Sequence, residues 1–255
     1  DEAWHQTRST FTRTVLGRGR QTYQRSEAKQ NPLMLGAIAS TDNHFGTAGR
    51  VAEAGYRGSI ASLFSTDEQV LNNTQFNPGG LVAVWANSNT RGEIFDALYR
   101  REAYATSGPR ISLQFSAGSE NACATHPRVQ ATHTAMGGTL PGATQAGVYF
   151  TVSAQMDQAP LAELQLVKGE LCEGELRETV LDVFKTDVAQ AQACVAWLDE
   201  DFNPNAPSYW YARASEVPTP RWSKLLCESL GKCGDYPEAD RMIEERAWSS
   251  PIWHL

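Results

Sequence analysis

Five short β-rich runs in the second half of the chain constrain its fold more than any other feature: Val148–Val152, Leu161–Val167, Thr179–Phe184, Cys194–Leu198 and Tyr209–Ala214. Turn residues separate them, and no strong helical periodicity intervenes. Runs of this length bury one face each and have to pack sheet against sheet. The spacing predicts a small β-sandwich over residues 118–255.

Residues 1–117 have a different texture. Gln6–Glu27 is polar and Arg-rich with scattered apolar positions (Phe11, Val15, Leu16, Tyr23), which reads as a solvent-exposed helix. Leu33–Ala39 is a continuous apolar run after Pro32, the pattern of a strand buried on both faces. Gly80–Ala86 is a second such run, and residues 46–79 between them read as a long loop rich in Gly, Ser, Asn and Thr. Asn89 or Thr90 caps a helix with Glu93 in its first turn and Ile94, Phe95, Leu98 and Tyr99 as its apolar stripe. Thr106–Pro109 ends this unit, and Ile111–Phe115 alternates like a strand. Strand, helix and strand at this spacing predict α/β architecture with a parallel sheet.

The 255 residues, 41% of them hydrophobic, suffice for one large domain or two small ones. A formal charge of −7 argues against a nucleic-acid partner, which requires clustered Lys and Arg. No run approaches the roughly 18 apolar residues of a membrane helix. Asp1–His5 has neither an initiator Met nor the segments of a signal peptide, so sequence preceding it is expected to have been removed. None of the cysteines at 123, 172, 194, 227 and 233 forms a zinc-type pair. Cys227 and Cys233 flank a short loop that a disulfide can close, with buried free thiols as the alternative. A disulfide there would place the protein in an oxidising compartment and favour a periplasmic or secreted location over a cytoplasmic one.

The sharpest local motif is Ser40-Thr41-Asp42-Asn43-His44, directly after the first apolar run. Functional groups in α/β folds collect where strands end. An Asp and a His two apart on such a loop can point into one cavity, and carboxylate with imidazole suits zinc, manganese or iron. A metal there would lower the pKa of a bound water and polarise a phosphoryl or carbonyl oxygen. The competing reading is an Asx turn beside an exposed His.

Gly36–His44 resembles the last metal-binding motif of hydrolases of the polymerase-and-histidinol-phosphatase (PHP) superfamily. Three further blocks resemble one bacterial family of that superfamily, domain of unknown function 3604: Asn77–Leu81 through Trp85-Ala86; Thr90–Leu98 through Arg101–Arg110; and Pro218–Ser223 with Glu245–Trp253. The resemblance implies the carboxy-terminal part of a distorted (β/α) barrel over residues 1–117, then the β-rich domain. It implies a centre of two or three divalent metals that hydrolyses a small phosphate ester, with Asp42 and His44 as two of the ligands. The family's earlier ligands, an H-x-H motif among them, lie upstream of this motif. Only His5 precedes His44 here, and His126, His133 and His254 follow it. The site is therefore expected to be completed by an amino-terminal half of the same protein.

Arg101 and Arg110 are the candidate phosphate contacts, because a guanidinium matches phosphate oxygens bidentately. Arg91, Glu93, Arg101 and Glu102 read mainly as a salt-bridged helix face. Ser107 is either near substrate or part of a turn chosen for its Gly and Pro. Asp199–Asn203 lacks the register of a calcium loop and reads as a solvated turn. Trp197, Trp210, Trp222, Trp248 and Trp253 read as packing residues rather than a sugar platform. Two functions remain open: a metal-dependent phosphoesterase, and a non-catalytic module binding a ligand or partner.

Overall fold

A computed structural model describes residues 12–25, 27, 31–123, 133–141, 147–172 and 175–255. Helix α1 (Thr12–Arg25) leads into an extended stretch, a 3-10 turn at Ile60–Ser62 and a short α2 (Asp67–Leu71). Strand β1 (Leu81–Val84), α3 (Arg91–Tyr99), β2 (Ala103–Thr106), β3 (Ser112–Gly118) and β4 (Thr134–Ala135) follow. Four long strands come next: β5 (Val148–Gln155), β6 (Leu161–Cys172), β7 (Glu175–Gln190) and β8 (Gln192–Asp199). The chain finishes with β9 (Ser208–Glu216), β10 (Thr219–Pro220), α4 (Trp222–Leu230), β11 (Met242–Ile243), β12 (Arg246–Ser249) and β13 (Ile252–His254).

The long strands form two facing sheets. The larger runs β1-β2-β12-β9-β6-β7, with β13 also pairing β9, and the smaller runs β4-β3-β5-β8. Among the described residues every pairing between these strands is antiparallel. Period-2 alternation sends Trp210, Ala212 and Ala214 of β9 inward, where they meet Leu113 and Phe115 of β3 and Phe150 and Val152 of β5. The Phe150 and Trp210 rings stack at 4.6 Å. Each large apolar side chain sealed in this layer contributes about 1.5–3 kcal/mol. A disulfide joins Cys123, beyond β3, to Cys194 on β8. A second joins Cys227 of α4 to Cys233, the pair for which their spacing left a disulfide and free thiols equally open, and Cys172 takes part in neither bond.

The expected (β/α) barrel segment does not form. The fold is a predominantly antiparallel β-structure, and neither sheet closes into a barrel. Leu81–Val84 pairs antiparallel with Ala103–Thr106, and α3 is an excursion between the two strands rather than a crossover to a parallel neighbour. Leu33–Ala39 is an extended strap with no strand partner, and Leu35 and Ile38 are 45% and 67% exposed. An apolar run becomes a buried strand only where a sheet edge is open to it. Both edges of β2 are already taken, one by β1 and the other by β12. Strands from both sides of residue 117 thus share the larger sheet. Helix α3 does start at Thr90, whose hydroxyl accepts from the Glu93 amide, but Phe95, Leu98 and Tyr99 of its stripe face solvent. No helix among the described residues is long and apolar enough to cross a membrane.

Candidate functional site

The strap delivers Asp42 and His44 to one end of β1 and β2. The Ser250 hydroxyl accepts from the Ala37 amide (2.9 Å) and donates to the Ala103 carbonyl (2.6 Å), pinning the strap to the sheet. Further along, the Gly80 amide donates to the Ser40 carbonyl at 3.0 Å. Asn77-Pro78-Gly79-Gly80 makes this approach possible. Gly79 has φ +86°, and a Cβ there would stand 2.4 Å from Thr41 Cα. Beyond that contact the backbone turns sharply, with Asp42 at φ 49° and His44 at φ 62°. Non-glycine residues seldom adopt such angles, and they concentrate at functional sites. Asn43 braces the turn by accepting from the Phe45 amide at 3.0 Å.

The turn brings His44 Nε2 to 3.1 Å from Asp42 Oδ1, with both side chains largely exposed. They border a hollow of about 390 Å³ shared with Tyr56, Ser59, Gln75 and Asn77. Two donors facing each other at this distance suit one divalent cation in chemistry, but not in number. No group of three or more His, Cys, Asp or Glu side chains converges among the described residues. A structural zinc requires about four ligands and a catalytic one about three.

Behind the hollow lies a half-buried polar cluster that sequence reading missed. The Tyr56 ring meets the buried Trp222 indole edge-on at 5.1 Å. Arg221 Nη2 and Trp222 Nε1 both donate to the Phe76 carbonyl, at 2.7 and 2.9 Å. The Trp222 amide donates to Glu53 Oε2 at 2.5 Å. Burial pushes the Glu53 carboxyl up to about 7; Glu245 adds to the rise, and the Trp222 amide and Arg221 oppose it. Burial likewise raises the Tyr56 phenol and lowers the Arg221 guanidinium. Glu53 and Arg221 are 168 positions apart by their numbers, and no local motif links them.

The other candidates fall elsewhere. Arg101 sits at the far end of β2 with φ 62°, and its Nε donates to the Gly137 carbonyl at 3.0 Å. Arg110 is exposed, with its amide held by Asp157 Oδ2 at 2.7 Å. Neither lines the hollow. Glu102 pairs with Arg100 at 2.9 Å, and Glu93 accepts from Asn87 at 3.0 Å. Ser107 is bonded to the buried Glu245 carboxylate and accepts from the Arg246 amide, a clamp between β2 and β12. Asp199, read as part of a solvated turn, is instead buried and ion-paired with Lys168 at 2.8 Å. Trp210, Trp222 and Trp253 are fully buried packing residues, as expected. His133 and His254 approach the backbone carbonyls of Glu120 and Pro204, while His5 and His126 lie outside the described residues.

Fold and site together define a two-sheet antiparallel sandwich that carries a loop-built hollow at one end. The chain belongs to the DUF3604 family of proteins of unknown function, whose profile matches residues 1–194 and 183–255. An uncharacterized protein of Chlamydia trachomatis serovar D is 27% identical over 161 residues, which cover 58% of this chain and 23% of that protein. An uncharacterized protein of Chlamydia muridarum is 32% identical over 103 residues, 36% of this chain and 16% of that protein. The matched part is thus less than a quarter of either relative's length.

Proposed function

We propose that this chain supplies part of a divalent-metal centre in a hydrolase acting on phosphate esters, with Asp42 and His44 as two ligands. The observation that carries the reading is the strained turn placing a carboxylate and an imidazole 3.1 Å apart at the rim of a hollow. Zinc, manganese or iron held there would supply an activated water. The chain's own residues bind and orient. Asn77 and Gln75 offer hydrogen bonds, and Tyr56 presents a phenolic donor. Two or three metals need further ligands, which we assign to sequence outside these 255 residues. Ile60 and Phe76, which line the hollow, are 48% and 37% exposed and support a covering segment there. The same Asp42–His44 pair is what supports a place in the PHP superfamily.

A non-catalytic binding module is the second reading, favoured by a wide groove on the outer face of the larger sheet. Elemental analysis separates the two readings. Chelator-free protein would be compared with a longer form that includes preceding sequence of the natural protein. Two or three metals per longer chain, lost on Asp42→Ala plus His44→Ala, are expected for the hydrolase. No metal in either form would refute it and leave the binding module.

A further inference from the structure

The outer face of the larger sheet presents two cross-strand rows of side chains. Ala105 of β2, Trp248 of β12, Arg213 of β9, Gln165 of β6 and Asp182 of β7 are successive partners in the first. Arg246, Ser215, Glu163 and Lys185 form the second. The polar end of the first row is hydrogen-bonded along its length. Arg213 Nη2 donates to Gln165 Oε1 at 2.5 Å, and Gln165 Nε2 donates to Asp182 Oδ1 at 2.7 Å. Two adjoining cavities lie over the rows and share Arg213 and Arg246. One, about 220 Å³, is also walled by Glu163, Gln165, Ser215 and Glu244. The other, about 720 Å³, is bordered by Ala105, Tyr211 and Trp248 of the sheet and by Leu35 and Ile38 of the strap. Of the tryptophans expected to pack, Trp210, Trp222 and Trp253 are fully buried, whereas Trp248 is half-buried and lines this space.

Charge across the two rows is balanced. Glu244 pairs with Arg246 at 3.0 Å and also acts on Arg213, and Glu163 lies 3.7 Å from Lys185. Arg213, Arg246 and Lys185 are thus offset by Glu163, Asp182 and Glu244. An ion of either sign would meet a repelling group beside each attracting one. An alkyl chain would strip water from guanidinium and carboxylate alike and return no hydrogen bond. A hydroxyl both donates and accepts, so neighbouring hydroxyls can bridge an Arg and a Glu. The electron-rich ring face of Trp248 or Tyr211 attracts C–H hydrogens such as those gathered on one face of a sugar ring. The wider volume lies in the range of small-molecule sites, about 300–1,000 Å³.

We propose that this face binds a neutral carbohydrate, a sugar ring lying against Trp248 and its hydroxyls bonded to the row from Arg213 to Glu163. The site is separate from the Asp42–His44 hollow, and its test does not depend on metal. The 255-residue protein is mixed with maltose, cellobiose, lactose or diacetylchitobiose at millimolar concentration and studied by saturation-transfer NMR, with adenosine as a neutral ring that lacks a C–H face. Saturable transfer to at least one disaccharide is expected, strongest at the C–H protons of one ring face, and none to adenosine. Trp248→Phe, which keeps a ring face, should retain binding. Trp248→Leu should weaken it about tenfold, and so should Gln165→Leu, which cuts the link from Arg213 to Asp182. No transfer to any of the disaccharides, equal transfer to adenosine, or unchanged affinity in Trp248→Leu would overturn the proposal. If circular dichroism shows Trp248→Leu to be unfolded, Gln165→Leu decides, and unchanged affinity there refutes the site.

Discussion

The sandwich and the stretch from the strap to α2 are built on opposite terms. In the sandwich, Leu113, Phe150, Leu164, Leu166 and Trp210 are sealed between two sheets whose ladders satisfy the backbone. In the other region, Leu35, Ile38, Phe45, Ile60, Leu63 and Phe64 stay exposed, and a few hydrogen bonds to Ser250, Gly80 and Trp222 hold the backbone in place. Both have apolar residues enough for a core, but beyond the small cluster of Leu71 with Cys227 and Ala239 only the sandwich has two faces to press together. Stability therefore belongs to the sandwich, and the mobile low-stability end of the scale is where polar groups can be arranged for binding.

Trp210→Ala tests this contrast most severely. It removes a fully buried ring stacked on Phe150 and should cost about 3–5 kcal/mol in denaturant titration. A smaller loss would mean that the two sheets support each other less than their contact implies. The disulfides come next. Replacing Cys123 and Cys194 by Ser opens a crosslink spanning 71 positions and should cost roughly 4 kcal/mol, against roughly 2 for Cys227 and Cys233, which span 6. Thiol titration of the unfolded, unreduced protein should find one reactive cysteine, Cys172, rising to five on reduction.

Glu53 gives a pH-dependent test of the same contrast. Its raised pKa means that the folded protein keeps a proton which the unfolded chain releases between its ordinary value of 4.5 and about 7. Stability from this group is present below the unfolded pKa and is lost as pH rises through the folded one. Reduced for partial exposure, the loss is on the order of 1 kcal/mol. Glu53→Gln should match the parent near about pH 5 and melt higher near about pH 8. Equal pH slopes would show that the cluster behind Tyr56 is open to water. The smallest effect is expected from Phe64→Ser, within about 0.5 kcal/mol, because that ring is 96% exposed. A larger loss would place Phe64 in a contact of its own.

Local chemistry made several elements legible in the sequence. Thr90 with Glu93 marks the start of α3, and β-rich runs separated by turn residues mark β5, β6, β7, β8 and β9. A gap of 6 positions brings Cys227 and Cys233 within reach of each other. The motif Asp42-Asn43-His44 could be read as a unit because its turn is built within a few residues. The Cys123–Cys194 bond, the strand β12 that seals β2, and the convergence of Glu53, Tyr56 and Arg221 carry no such local trace. Leu33–Ala39 has the composition of a buried strand, and Phe95 and Tyr99 have the spacing of a buried stripe, yet both remain outside the core. The sequence by itself determined which segments favour strand, helix or tight turn, since those preferences are settled among neighbours along the chain. Tertiary structure alone decided which edges pair and which faces are covered, because an edge is open to a segment only when no other strand has taken it.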